Sequence, residues 1–154
     1  MNIRLAEEKD IPQLIKMRWD FTIEHDQSKK NASFDSFYHE CQSFLVNAIR
    51  GGQWYIWVAE KEGTVLSHIY LELIQKVPRP GRITNPFVFM TNVYTVPAFR
   101  NKGVGSQLLH AVNTWMKENN YEFSIVWPSD DSIEFYKRNG YKHCQEAMEY
   151  HPPN

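Results

Sequence analysis

Apolar positions along this chain change their spacing several times, and each change marks an element. Ile3 and Leu5 alternate with Asn2 and Arg4, the two-residue period of a short strand. From Ile11 the period lengthens. Leu14, Met17 and Phe21 form one row and Ile11, Ile15 and Trp19 another, so the segment to about Glu24 reads as a helix with a broad apolar stripe. Asp10 stands where a helix N-cap belongs, with Pro12 in the first turn. Phe34, Phe37, Cys41, Phe44, Leu45 and Ala48 keep helical spacing until Gly51-Gly52 stops it, which gives a second helix. Residues 53–60 are then aromatic and β-branched, and Lys61-Glu62-Gly63 turns them into a second arm over 65–74, a β-hairpin. In that arm Ile69, Leu71 and Leu73 alternate with His68, Tyr70 and Glu72. One face is therefore expected to be apolar and the other to turn polar groups toward a cleft.

Residues 75–86, interrupted by Val77-Pro78-Arg79-Pro80-Gly81, read as a loop whose Lys76, Arg79 and Arg82 suit either a cover over a site or a dimer contact. The pattern then predicts a strand at 87–96, a helix at 103–119, a strand at 122–127, a helix at 132–139 and a last strand at 141–148. The order β-α-α-β-β-β-α-β-α-β predicts an α/β (α+β) fold with a mixed, largely antiparallel central sheet flanked by helices, in a single domain over 1–154. A hairpin must pair antiparallel, whereas a strand-helix-strand crossover pairs parallel. The crevice where the two kinds of pairing meet, near residues 93–106, is the place to seek a ligand.

Composition narrows the class. With 42% hydrophobic and 14% aromatic residues the chain can bury a real core. Its 17 Lys plus Arg against 18 Asp plus Glu leave no broad basic face, so no nucleic-acid partner is expected. Cys41 and Cys144 are far apart and show no metal-ligand spacing, which predicts neither a disulfide framework nor a zinc site. No apolar stretch approaches the roughly 20 residues of a membrane helix, and no secretory leader is evident, so a cytoplasmic protein without a membrane partner is expected.

The segment Val93-Tyr94-Thr95-Val96-Pro97-Ala98-Phe99-Arg100-Asn101-Lys102-Gly103-Val104-Gly105-Ser106 carries the chemistry. A strand ends at Pro97, and two glycines open a helix striped by Val104, Leu108, Val112 and Met116. The first turn of a helix offers N–H groups without intrahelical partners and the positive end of the dipole, so a phosphate fits there. A P-loop is excluded, because its first glycine and its Lys-[Ser/Thr] pair are missing. A dinucleotide fingerprint is excluded because Leu108 stands where a third small residue is needed. Two glycines alone fit close helix packing as well as they fit phosphate binding.

The whole run decides between these. It resembles the hallmark of the GNAT superfamily of N-acetyltransferases, in which a strand, a proline and [Gln/Arg]-x-x-Gly-x-[Gly/Ala] precede the cofactor helix, matched here by Arg100, Gly103 and Gly105. Ile133-Glu134-Phe135-Tyr136-Lys137-Arg138-Asn139-Gly140-Tyr141 is similar to the superfamily's second signature. The resemblance covers essentially the whole chain and implies acetyl-CoA as cosubstrate. It implies that Val93, Tyr94 and Thr95 pair with the pantetheine arm through their backbone, at a bulge that splays the strand. It also implies that amides from Asn101 through Lys102, Gly103, Val104, Gly105 and Ser106 cradle the pyrophosphate. Arg100 would add charge there; Lys102 either does so or is an ordinary solvated lysine.

The same resemblance makes Val93 the backbone oxyanion donor and Tyr136 the general acid, with a core aromatic as the other reading of Tyr136. Ser129 stands where relatives often carry a cofactor-touching asparagine, and it is also placed to cap a helix. Relatives place a carboxylate on the strand before the cofactor segment; here Thr91 and Asn92 occupy those positions, leaving His68, Glu72 or a water relay for the base. Acceptor recognition is expected from the first two helices, around Trp19, Asp20, Glu24, His25 and Asp26, with Trp19, Glu24 and Glu72 as candidate substrate residues; acidic and aromatic groups suit a cationic amine, and an ordinary solvated helix end is the other reading of the cluster. No metal is expected, and a homodimer is one possible assembly. The expected activity is transfer of acetyl from acetyl-CoA to a primary amine of a small molecule or protein. A non-catalytic acyl-CoA-binding module of the same fold is the alternative.

Overall fold

A computed structural model describes residues 1–154. The elements are β1 (Asn2–Leu5), α1 (Ile11–His25), α2 (Phe34–Arg50), β2 (Trp54–Lys61), β3 (Thr64–Ile74), β4 (Phe87–Thr95), α3 (Val104–Glu118), β5 (Ser124–Val126) and α4 (Ile133–Arg138). The five strands form one sheet in sequence order, antiparallel from β1 to β4 and parallel between β4 and β5. The β2–β3 turn is as tight as the sequence suggests. Lys61 pairs with Thr64, and Glu62 and Gly63 both have positive φ, the twist a two-residue hairpin turn needs.

Helices cover both faces. Leu14, Ile15 and Met17 of α1 and Leu45 of α2 pack with Ile56, Val58 and Tyr70 on one side. Val104, Leu108, Leu109 and Val112 of α3 pack with Ile69, Leu71, Val88 and Met90 on the other. β3 is thereby buried on both faces from Val65 to Leu71, so its polar alternation does not look into a cleft: His68 and Tyr70 lie beneath α1 and α2. No helix is long and apolar enough to cross a membrane.

Two further expectations are corrected. The last strand, expected at 141–148, does not form; after Tyr141 the segment is exposed and has no regular structure. Its alternate positions Tyr141, His143, Gln145 and Ala147 offer no apolar row to bury, and the neighbouring β5 is only three residues long. Asp10 makes no side-chain cap to α1. Its buried carboxylate instead accepts two bonds from the Arg4 guanidinium (2.8 and 3.0 Å) and one from Glu7 N–H (2.7 Å). In the 75–86 loop, Lys76, Arg79 and Arg82 all reach Glu122, just ahead of β5, and none of the three lines the cleft beside β4.

Candidate active site

The ladder between β3 and β4 slips once. His68 faces Tyr94 and Tyr70 faces Thr91, so Asn92 and Val93 stand opposite a single residue, Ile69. This is a β-bulge in β4, and Asn92 takes a left-handed φ of 49° in it. On its other edge β4 pairs with β5 only from Val88–Ser124 to Met90–Val126. Beyond that point the two strands part, and residues 91–95 and 126–129 line opposite walls of one cleft.

The cleft has a volume of about 900 Å³. The start of α3 forms its floor. The first bond of that helix runs from Gln107 N–H to Gly103 O (3.0 Å), and no backbone carbonyl accepts from the amides of residues 101–106. A row of free donors at the positive end of a fifteen-residue helix is a receptor for an anion. Gly103 has φ of 82°, a conformation that side chains resist, so here glycine is required by the backbone. Gly105 is different. A Cβ there would meet Thr95 Oγ1 at 3.4 Å and the Phe135 ring at 3.5 Å, ordinary contacts, so the site has room for one methyl group and no more.

Tyr136, on α4, lines the cleft and is nearly buried; burial, with Tyr141 beside it, pushes its phenol well above the ordinary tyrosine value. The six-residue helix that carries it is anchored by its neighbour Tyr141, whose N–H donates to Tyr136 O and whose hydroxyl donates to Asn113 Oδ1 (2.8 Å). Ser129 also lines the cleft. It opens the 3-10 turn before α4, and its hydroxyl bonds the Ser132 hydroxyl (3.1 Å) without capping a backbone amide.

Val93, Tyr94, Thr95, Arg100, Asn101, Gly103, Val104, Gly105, Ser106, Ser129, Tyr136 and Glu24 are therefore brought together around one cleft. Asp20, Asp26 and the buried His68 do not line it, and three more candidates stay outside. Lys102 does not line it, and its ammonium lies over the Phe99 ring. Trp19 is turned toward α2, where it packs edge-on against Phe34 and against Phe37. Glu72, near the far end of β3, accepts a bond from Gln53 (2.7 Å).

Arg100 lies at the cleft but is already engaged. Its guanidinium forks onto both oxygens of Glu24 (2.8 and 2.9 Å), its Nε donates to Thr95 O (2.8 Å), and its plane lies over Tyr94. The Arg100 bonds hold the Glu24 carboxyl below its usual range, so an ion pair joins the two residues that the sequence assigned separately to phosphate and to amine. Sequence reasoning missed Arg18, Phe21, Trp127 and Asp131, which also line the cleft. Arg18 follows Met17 on α1 by one helical step, enough to rotate it from the core to the cleft rim; nothing in its spacing separates it from a solvated arginine.

The acetyltransferase (GNAT) family model matches residues 11–141. No curated protein matches the chain in sequence. Among solved structures, a protein from Clostridium acetobutylicum described as a predicted acetyltransferase, crystallised with acetyl-CoA, is 23% identical over 97% of this chain and 95% of its own, with a TM-score of 0.78. A GCN5-related N-acetyltransferase from Ralstonia eutropha JMP134 is 19% identical over 97% of each chain, with a TM-score of 0.78. AAC(6')-Iy in complex with the bisubstrate analogue CoA-S-monomethyl-acetylneamine is 16% identical over 99% of this chain and 98% of its own, with a TM-score of 0.71. At these identities the likeness is one of fold, and the family rests on the sequence match: over most of its length, this chain belongs to the acetyltransferase (GNAT) family.

Proposed function

We propose that this acetyltransferase moves the acetyl group of acetyl-CoA to a primary amine, on a small molecule or a protein, by direct attack in a ternary complex. One observation carries the reading: the bulge at Val93, the unpaired amides of Asn101 and residues 103–106, and Tyr136 share a single cleft. Those amides fit a pyrophosphate, and the free edge of residues 93–95, where β5 has parted, fits a pantetheine arm. Bound acetyl-CoA supplies a thioester whose carbonyl carbon takes the amine while the thiol leaves. Val93 N–H stabilises the carbonyl oxygen as charge gathers on it. Tyr136 gives its hydroxyl proton to the departing sulfur. β4 offers no side chain as base, with Thr91 and Asn92 at the bulge, so the amine's proton leaves through water in the open cleft. Glu24, the acidic candidate for acceptor binding, lines the cleft within its ion pair to Arg100, so a cationic acceptor would meet it there as a hydrogen-bond acceptor and not as an uncompensated charge.

Calorimetry with acetyl-CoA, followed by thiol release against polyamines, amino acids, aminoglycosides and N-terminal peptides, tests the proposal. Tyr136→Phe is expected to lower kcat by about 10²- to 10⁴-fold while the acetyl-CoA Kd stays within about twofold. Unchanged turnover removes Tyr136 from the mechanism. Binding without thiol release against every amine identifies a non-catalytic acyl-CoA module, and no binding at micromolar acetyl-CoA sinks both readings.

A further inference from the structure

His68 is a fully buried histidine that the reaction above does not use. Its ring sits between Tyr70 (centroids 5.1 Å apart) and Tyr94 (5.7 Å), in a layer that an apolar side chain would fill at no polar cost. Nδ1 lies 2.8 Å from Asn92 O. A carbonyl only accepts, so Nδ1 carries the proton; Nε2 is then a bare lone pair, and it has no partner. The chain thus retains a half-satisfied buried ring for the sake of one bond, and that bond ends on the bulge. Ser67 does the same from the other face of β3. Its buried hydroxyl donates to Tyr94 O (2.9 Å) and accepts from Thr95 Oγ1 (2.8 Å). Arg18 adds a bond to the Asn92 side chain (3.1 Å).

We propose that His68 and Ser67 are positioning residues that grip the carbonyls of Asn92 and Tyr94, on either side of Val93, and so fix the Val93 amide where acetyl transfer needs it. A bulge loses ladder bonds and, at Asn92, adopts a left-handed conformation that the chain resists. Something outside the ladder must hold it, and the two side chains do so at both ends. The role assigned to Val93 rests on the proposed acetyl transfer; the clamp itself does not.

The test compares His68→Phe, which fills the ring volume without the donor, His68→Asn, which keeps an amide N–H near the Nδ1 position, and Ser67→Ala. Amide hydrogen exchange of residues 92–94 in the unliganded protein is read first. His68→Phe is expected to speed exchange at Val93 by about tenfold or more and to leave α3 unchanged. With acetyl-CoA and an accepted amine, kcat is expected to fall by about 10- to 100-fold and the acetyl-CoA KM by less than about threefold in either direction, with His68→Asn restoring most of kcat. Unchanged exchange at Val93, or a His68→Asn variant as impaired as His68→Phe, overturns the proposal. If His68→Phe does not fold, Ser67→Ala, which deletes one hydroxyl, carries the same two outcomes. A wild-type protein that releases no thiol overturns the functional reading alone, since the exchange result still decides the clamp.

Discussion

Two residues show how position rewrites the chemistry a side chain brings. Burial lowers the His68 pKa to about 4, from an ordinary value near 6.5, against a modest opposing pull from the Asn92 carbonyl. The charged groups facing it argue the same way, because Arg18 disfavours a second cation. The folded ring therefore stays neutral while the unfolded chain takes up a proton between pH 6.5 and 4. The stability this group allows is complete above pH 6.5 and is lost as pH falls through the folded value, by up to about 3 kcal/mol. Urea denaturation at pH 7 and pH 4.5 should show the loss in the wild type and a smaller one in His68→Phe; equal losses would assign the slope to carboxylates. The glycines of the loop divide in the same way. Gly103→Ala places a side chain at φ of 82° and should cost about 1–2 kcal/mol in thermal unfolding. Gly105→Ala meets only ordinary contacts and should stay within about 0.5 kcal/mol of wild type, whereas Gly105→Leu drives into Phe135.

Among the elements, α1 has an ion pair at each end: Asp10, just before it, meets Arg4 of β1, and Glu24 in its last turn meets Arg100 beyond β4. At its start, burial penalises the Asp10 charge, yet the Arg4 bonds and Glu7 N–H outweigh that penalty and hold the carboxyl below its usual value. Asp10→Asn leaves Arg4 facing a neutral amide and should destabilise the fold by about 2–4 kcal/mol, measured by urea unfolding at pH 7. The wild-type contribution fades as pH drops below about 4 through the lowered folded value, so the two proteins should converge in acid. At the other end the Glu24–Arg100 fork is about one-third exposed and contributes little to stability. Its consequence is geometric: it fixes the C-terminal turn of α1 against the exit of β4, which is how a helix formed early in the chain becomes a wall of the cleft.

For the molecule as a whole, the cleft exists because one sheet changes partner direction at β4. The ladder to β3 is interrupted by a bulge and the ladder to β5 ends early, so the middle of the fold carries an unpaired strand edge beside an unpaired helix start. A ligand that satisfies both should stabilise the whole. At a hundredfold excess over its Kd, acetyl-CoA is expected to add about 2.7 kcal/mol to unfolding and to protect the amides of residues 93–95 and 101–106 more than those of α2; uniform protection would speak against this placement.

Much of this was legible in the chain. The changing period of apolar residues marked every helix and all five strands, because amphipathic spacing is a local consequence of which face meets the core. The Arg100–Gly105 run marked the start of α3 with its unpaired donors, because a helix N-terminus makes its own donors; that they suit a phosphate came from the resemblance of the whole run. Other features depended on distant partners. That His68 and Tyr70 lie in the core follows from α1 and α2 crossing a sheet whose strands come later. That Arg100 meets Glu24 follows from β4 ending beside α1, although the two residues are far apart in sequence. The expected strand at 141–148 fails for the same reason: pairing needs a neighbour long enough to hold it, and β5 pairs over three residues only. Local pattern thus determined the elements and the glycine turn with its unpaired amides; the bulge, its clamp and the membership of the cleft were decided by contacts that exist only once the sheet is assembled.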